Sequence, residues 1–298
     1  MTPEIFTLRA GDLEARWVPA VGMVGASLRH AGRELLGLRR GLDAYASRGS
    51  TFGVPLLHPW ANRLGGFAYT AAGRSVALDA GSPLVRTEEH GLPIHGLLAA
   101  YPGWEVVSAG ERALSAEADL TTDPEVLEGF PFPHRLRMDV ALAPERLTVT
   151  TTLTPAEGVA VPVAFGFHPY LDLPDVARGD LVLRHGPLTH LALDDRGLPT
   201  GERAPVAARD APLGDATYDD LYVGPGDGEG VTLEGAGRTV TVRFEGGYTF
   251  LQLFAPPGTG AVAIEPMTAP TNALSTGDGL RVVTEPFTAR FAIEVARV

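Results

Sequence analysis

Apolar and polar residues alternate one by one along much of this chain. Leu114, Ala116, Ala118 and Leu120 fall on every second position. Leu136, Met138, Val140 and Leu142 do the same against Arg135, Arg137 and Asp139, and Leu147, Val149 and Leu153 against Thr148, Thr150 and Thr152. Val240, Val242 and Phe244 follow the rule, and Phe291, Ile293 and Val295 close the chain with it. A period of two sends one side of an extended strand to a core and the other to water. The β-branched residues in these runs favour the same state. Helical spacing is scarce. The pattern predicts one helical turn over Asp123–Gly129 and another over Thr276–Leu280.

The 36 Gly and 25 Pro fall mostly between the alternating runs. They punctuate short strands at the spacing of a β-sandwich or barrel. Gly224–Gly230, GPGDGEG, reads as a turn tip rather than a linker, because strand-like sequence resumes directly after it. No short repeat or low-complexity tail is present. The expectation is an all-β chain forming one domain over residues 1–298.

Composition narrows the chemistry. The 24 basic residues are all Arg and face 36 acidic ones, a formal net charge of −12. Without Lys there is no Schiff-base chemistry and no Walker-type phosphate loop. Without Cys there is no disulfide, no thiolate nucleophile and no Cys-ligated metal. The acidic balance argues against nucleic acid as a partner. No run approaches 18 apolar residues, so no membrane partner is expected. MTPEIFTLRA is too mixed for a leader. These readings predict a soluble, cytoplasmic protein, a monomer or homodimer.

Eight His occur, and no HxH or HExxH spacing marks a metal site, so the expectation is no metal and no cofactor. His185 and His190 read as structural. His168 differs: FGFHPYLDLP surrounds it with Phe165, Phe167 and Tyr170, and Pro169 biases it toward an extended backbone at a strand end. Aromatic faces suit the apolar faces of sugars. In AVAIEPMTAPTNAL, Val262 and Ile264 point to a core and Glu265 follows, read as a strand end before Pro266. Desolvation there raises a Glu pKa above about 4.3 and makes it a better base. Asn62-Arg63 follows VPLLHPW, and the Arg fork suits carboxylates or vicinal hydroxyls. Tyr218-Asp219-Asp220 adds an acidic point.

Together these motifs resemble the aldose 1-epimerase (galactose mutarotase-like) family, and they run in its order. TFGVPLLHPWANRLGGFAY is similar to its Gly-x-Pro…Asn-Arg segment, LPIHGLLAAYPGW to its His-Gly…Trp segment and GFPFPHRLRMDVAL to its following strand pair. FGFHPYLDL resembles the His-Pro-Tyr motif, TYDDLYV the aromatic-Asp motif and FLQLFAPPGTGAVAIEPMTAPTNAL the C-terminal Glu motif. The resemblance spans roughly Thr51 to the C-terminus. His95 is followed by Gly-Leu-Leu and His-Pro-Tyr by Leu-Asp, unlike the galactose-specific members.

The resemblance implies a large antiparallel β-sandwich, a supersandwich with few short helices, and a small-molecule sugar as substrate. It implies His168 as general acid and Glu265 as general base for interconverting α and β anomers. It implies Arg63, His95, Asp219 and Asn62 as sugar ligands, with Asp220 the alternative to Asp219. His90-Gly91 competes with His95-Gly96 for the His-Gly position. His95 is preferred because Trp104, itself expected to be structural, follows at the family's spacing. Two other readings stand beside this one. A hexose-6-phosphate 1-epimerase would need an Arg cluster, for which Arg39, Arg40 and Arg86 are candidates. A non-catalytic sugar-binding sandwich would have no use for both His168 and Glu265.

Overall fold

The alternating runs pair with one another in a computed structural model, which describes residues 3–37, 40–48, 52–173 and 176–298. His134–Ala143 and Arg146–Pro155 form a hairpin ten residues deep, from Ala143 opposite Arg146 to His134 opposite Pro155. Phe287–Arg297 adds to its far side, and Arg238–Phe244 and Gly230–Gly235 follow. With Val182–His185, Arg209–Pro212, Ala113–Asp119 and Trp104–Ala109, these make a nine-stranded antiparallel sheet among the described residues.

A second sheet carries the site. Its order is Pro199–Val206, Leu188–Leu193, Tyr218–Val223, Phe250–Ala255, Val262–Met267, Gly166–Phe167 and Leu56–Leu57. Tyr170–Leu171 pairs with the near end of Val262–Met267. Along Phe250–Ala255, alternate side chains go to different places. Leu251, Leu253 and Ala255 enter the main apolar cluster, which also holds Leu136, Met138, Val149, Val240, Phe291 and Ile293 of the first sheet. Phe250 goes to a small separate cluster with Leu57, Ala61, Leu191, Leu221 and Met267 on the other face. Sheet packed on sheet in this way is a β-sandwich. Phe291 is fully buried, so truncating its ring should cost about 3–5 kcal/mol.

Asp123 caps the helix Pro124–Gly129, its carboxylate accepting from Glu125 N and Val126 N, where one helical turn was expected. The other expected turn is displaced. The helix spans Ala273–Thr276 and stops where Thr276–Leu280 was predicted to begin, because Gly277 takes the left-handed φ of 74°. A further helix, Leu42–Arg48, has no periodic signal in its sequence. Residues 224–229 contain the expected turn, in which Glu229 N donates to Gly226 O at 3.0 Å. They carry the chain from Tyr218–Val223 in the second sheet to Gly230–Gly235 in the first. Among the described residues, no helix is long and apolar enough to cross a membrane.

Candidate active site

Three adjacent strands build the floor. Gln252 lies directly opposite Glu265 on one side and opposite Leu221 on the other, and Asp219 sits two residues from Leu221. A two-residue period places Asp219, Gln252 and Glu265 on one face, away from the main core. Asp220 does not line the pocket with Asp219 but pairs with His190 at 3.1 Å in the outer cavity. Gln252 Nε2 donates to Asp219 Oδ1 at 2.6 Å, which holds that carboxylate at the mouth of the site. Glu265 stands inside the strand Val262–Met267, not at its end as the sequence suggested. Pairing continues past it through Pro266 opposite Leu251, so the carboxyl is sunk further than a strand end would allow.

The link between Gly166–Phe167 and Tyr170–Leu171 supplies the histidine. His168 N donates to Pro55 O at 3.1 Å and Tyr170 N to Gly53 O at 3.0 Å, and Pro169 O accepts from Ile264 N at 3.3 Å. These anchors aim the imidazole at the sheet face. His168 Nε2 lies 3.1 Å from Glu265 Oε1, and both side chains are nearly inaccessible, at 6% and 2% exposure. Tyr170 stacks on the His168 ring with centroids 4.2 Å apart, and His95 meets it edge-on at 5.4 Å.

Two loops form the wall. His95 N donates to Asn62 O at 2.9 Å, Leu64 N to Pro93 O at 2.8 Å and Asn272 N to Arg63 O at 2.9 Å. Gly65 N donates to Asn272 Oδ1 at 2.8 Å. Asn62 and His95 both take left-handed backbones, with φ of 56° and 63°, a strain that over-determined sites tolerate. Gly96 follows at φ 72°, and a Cβ there would stand 2.1 Å from His58 O. The glycine after His95 is therefore required by backbone contact. Gly91 after His90 meets nothing within 4 Å, and His90 lies outside the pocket.

The pocket so enclosed holds about 200 Å³ and is lined by Asn62, Arg63, Ile94, His95, His168, Tyr170, Asp219, Phe254 and Glu265. That is smaller than the roughly 300–1,000 Å³ typical of drug-sized ligands. All six site residues expected from the sequence meet here. Arg63 Nη1 donates to Asn62 Oδ1 at 3.1 Å, Nε to Glu88 Oε2 at 3.4 Å and Nη2 to Asp219 Oδ2 at 3.4 Å. Beyond Arg63 and Asp219 lies an outer cavity of about 390 Å³, lined also by His90, His190, Asp194, Gly197 and Asp220.

Burial sets the electrostatics. Desolvation pushes the Glu265 carboxyl well above 4.5. Asp219 adds to this and Arg63 opposes it. Its Oε2 has no hydrogen-bond partner in the protein. Desolvation pushes His95 down to about 3, and the Arg63 and Arg86 charges act in the same direction. His95 is thus neutral and can donate or accept.

Sequence reasoning missed Gln252 and Glu88. Gln252 carried a signal: one amide inside the apolar run FLQLF. Glu88 carried none, since its role depends on a turn in which Oε1 accepts from His90 N and Leu92 N. Among the described residues, one group of metal-ligating types comes together, Glu88, Glu89 and His90, within 4.8 Å. Its Glu88 is already engaged by Arg63 and that turn.

The two sheets and the pocket on the outer face of the second define a galactose mutarotase-like fold. A galactose mutarotase-like protein from Clostridium acetobutylicum superposes with a TM-score of 0.81 at 18% identity, covering 98% of this chain and 95% of that one. An aldose epimerase homologue from C. elegans gives 0.78 at 16%, with complete coverage of both. Galactose 1-epimerase from Lactobacillus acidophilus gives 0.76 at 16%, covering 98% and 93%. Comparison with curated proteins gives no match. The sequence profile of the aldose 1-epimerase family matches residues 7–286, and the chain belongs to that family.

Proposed function

We propose that this protein is an aldose 1-epimerase acting on a free, unphosphorylated aldose, with Glu265 and His168 as its proton-exchanging pair. The observation that carries this reading is the 3.1 Å contact between two buried groups, a carboxyl and an imidazole, on the wall of a sugar-sized pocket.

Mutarotation starts when Glu265 takes the proton of the anomeric hydroxyl while His168 gives one to the ring oxygen. The C1–O5 bond breaks and leaves an aldehyde, a protonated Glu265 and a neutral His168. Rotation about C1–C2 presents the other carbonyl face. On closure His168 removes the O5 proton, O5 attacks C1 and Glu265 returns its proton to O1. The pair holds one proton throughout, and the two ways of sharing it are the starting state and the open-chain state. Desolvation of Glu265 raises the energy of its carboxylate and so strengthens it as a base. Arg63, Asn62 and neutral His95 hydrogen-bond sugar oxygens, and Asp219 accepts from hydroxyls at the mouth, which holds C1 in register.

The phosphorylated alternative finds no support in the lining. Arg63 is the arginine among the described residues of the pocket. Arg86 donates to Ala99 O at 3.0 Å, Arg40 does not line the pocket, and Arg39 lies outside the described residues. Asp219 at the mouth and Asp220, Asp194 and Asp195 beyond it would repel a phosphate. A binding module would gain nothing from a desolvated carboxyl, whose burial costs stability.

Polarimetry on fresh α-glucose, α-galactose and glucose 6-phosphate tests the reading. Faster decay of rotation is expected for at least one free aldose, with glucose 6-phosphate at least tenfold poorer in kcat/KM. Decay at the uncatalysed rate across free hexoses and pentoses would remove the enzyme reading, and a preference for the phosphate would remove the substrate assignment.

A further inference from the structure

The edge hairpin of the second sheet, Leu188–Leu193 with Pro199–Val206, turns over the substrate arginine. Asp194 ties that turn. Its N donates to Leu198 O at 2.8 Å, its O accepts from Gly197 N at 2.9 Å, and its Oδ1 accepts from Arg196 N and Leu198 N, each at 2.9 Å. The result is a Gly197 backbone held at φ +72° against the Arg63 guanidinium. A Cβ at Gly197 would stand 2.7 Å from Nη1, 3.0 Å from Cζ and 3.2 Å from Nε. All three atoms belong to the planar head, so the contact is with the head and not with the aliphatic stem.

The hydrogen bonds of Arg63 do not do this work. Asn62, Glu88 and Asp219 accept from its edge, two of them at 3.4 Å, and fix where the fork points. Bonds made at the edge of a planar group resist sliding within the plane far more than displacement along its normal. Gly197 supplies the missing stop. Arg63 lines both the inner pocket and the outer cavity, and Gly197 lines the outer one. The turn thus meets the guanidinium from the outer cavity.

We propose that the 194–198 turn is a positioning element for the sugar-binding arginine, with Gly197 setting the depth at which Arg63 enters the pocket. The inference rests on the aldose reading above. It gives the edge hairpin, whose sheet pairing is with a single neighbouring strand, a part in substrate recognition.

The test is steady-state mutarotation by Gly197→Ala, with folding checked by circular dichroism. A displaced binding group of about 1 Å can cost on the order of 10²-fold, so KM is expected to rise about tenfold or more with kcat within threefold. Gly201→Ala in the same hairpin controls for the left-handed backbone. Gly201 has φ +90° and meets nothing within 4 Å, and its variant should keep KM within twofold. Asp194→Ala loosens the turn without adding a Cβ at Gly197 and should raise KM severalfold. In an Arg63→Ala background, Gly197→Ala should change KM by less than twofold, because the group it displaces is gone. A Gly197→Ala enzyme with wild-type KM, or an effect that multiplies in full with Arg63→Ala, would overturn the inference. Absence of turnover in the wild type would instead remove the aldose reading on which it rests.

Discussion

His58 and His134 should make this protein sensitive to mild acid. Both are buried in the core, at 1% and 0% exposure, and their Nε2 atoms lie 2.9 Å apart. His134 Nδ1 is 2.6 Å from Phe132 O, which can only accept, so Nδ1 carries the proton. A neutral His134 then offers Nε2 as acceptor, and His58 Nε2–H donates to it. This leaves His58 Nδ1 bare, and it has no partner in the protein. An added proton would place a charge with no partner among Phe130, Phe132 and Phe165. Accordingly desolvation pushes His134 down to about 4 and His58 well below 6.5, the neighbouring imidazole adding to the latter.

The sign follows from proton linkage. Above pH 6.5 the folded and unfolded chains both hold neutral imidazoles, and the pair contributes no pH dependence. Below it the unfolded chain takes up protons that the folded chain refuses, so stability falls as pH falls. For His134 the interval from 6.5 to about 4, at about 1.36 kcal/mol per pH unit, amounts to about 3 kcal/mol. His58 adds to this in the same direction. His95 also acts in this direction and Glu265 acts against it, so the wild-type curve alone does not isolate the pair. The comparison is with His58→Leu/His134→Leu, which exchanges both partners for apolar side chains. Urea unfolding followed by fluorescence of the three tryptophans, all buried, gives stability at each pH. Between pH 8 and pH 4 the double variant should gain about 3 kcal/mol or more relative to wild type. Parallel curves would refute the argument.

Three further outcomes are expected. Glu265→Gln and His168→Asn should keep the fold and each lose about 10²–10⁴-fold in kcat, while the double variant loses far less than the product; wild-type turnover in either would remove that residue from the mechanism. The acid limb of kcat/KM against pH should lie above 4.5, because the Glu265 carboxyl is pushed up, and it belongs to the pair jointly; a limb at or below 4.5 would contradict the burial argument. Gly96→Ala cannot be accommodated 2.1 Å from His58 O, so it should lower Tm and cut kcat/KM more than tenfold, and a variant with wild-type kinetics would show that the His95 loop is not held by that contact.

Most of the sheet was legible because its code is local. Each alternating run from Leu136 to Leu142 or Val240 to Phe244 declares its buried face by itself, and the structure buries those faces. The six candidate residues that share the pocket were legible as short motifs. What remained hidden depends on partners distant in the chain. Nothing in EEH says that Glu88 will meet Arg63, and nothing around HPW or PHR says that two imidazoles will join in the core. Leu42–Arg48 lacks apolar periodicity, and its helix rests on packing of Tyr45 beside Val18, Val21, Val24 and Phe52. Glu265 was read one step too shallow, since Pro266 suggested a strand end where pairing continues.

That depth matters for the chemistry. Side chains on the strand Val262–Met267 alternate between the main core, which takes Val262 and Ile264, and the opposite face, which carries Glu265 and Met267. A slip of one residue would send Glu265 into the apolar interior and Ile264 into the pocket. The register is held by Leu251, Leu253 and Ile264 on the core side and by Phe250 and Met267 on the other. The same packing that fixes the register also strips water from Glu265 and raises its basicity. In the proposed mechanism stability and catalysis therefore pull on one strand in opposite senses: the apolar neighbours that lock it in place are the ones that make its carboxylate costly to keep. His168 Nε2 at 3.1 Å is the neighbour that can offset that cost, and in the proposed reaction the exchange of a proton between the two is the step the sugar would use.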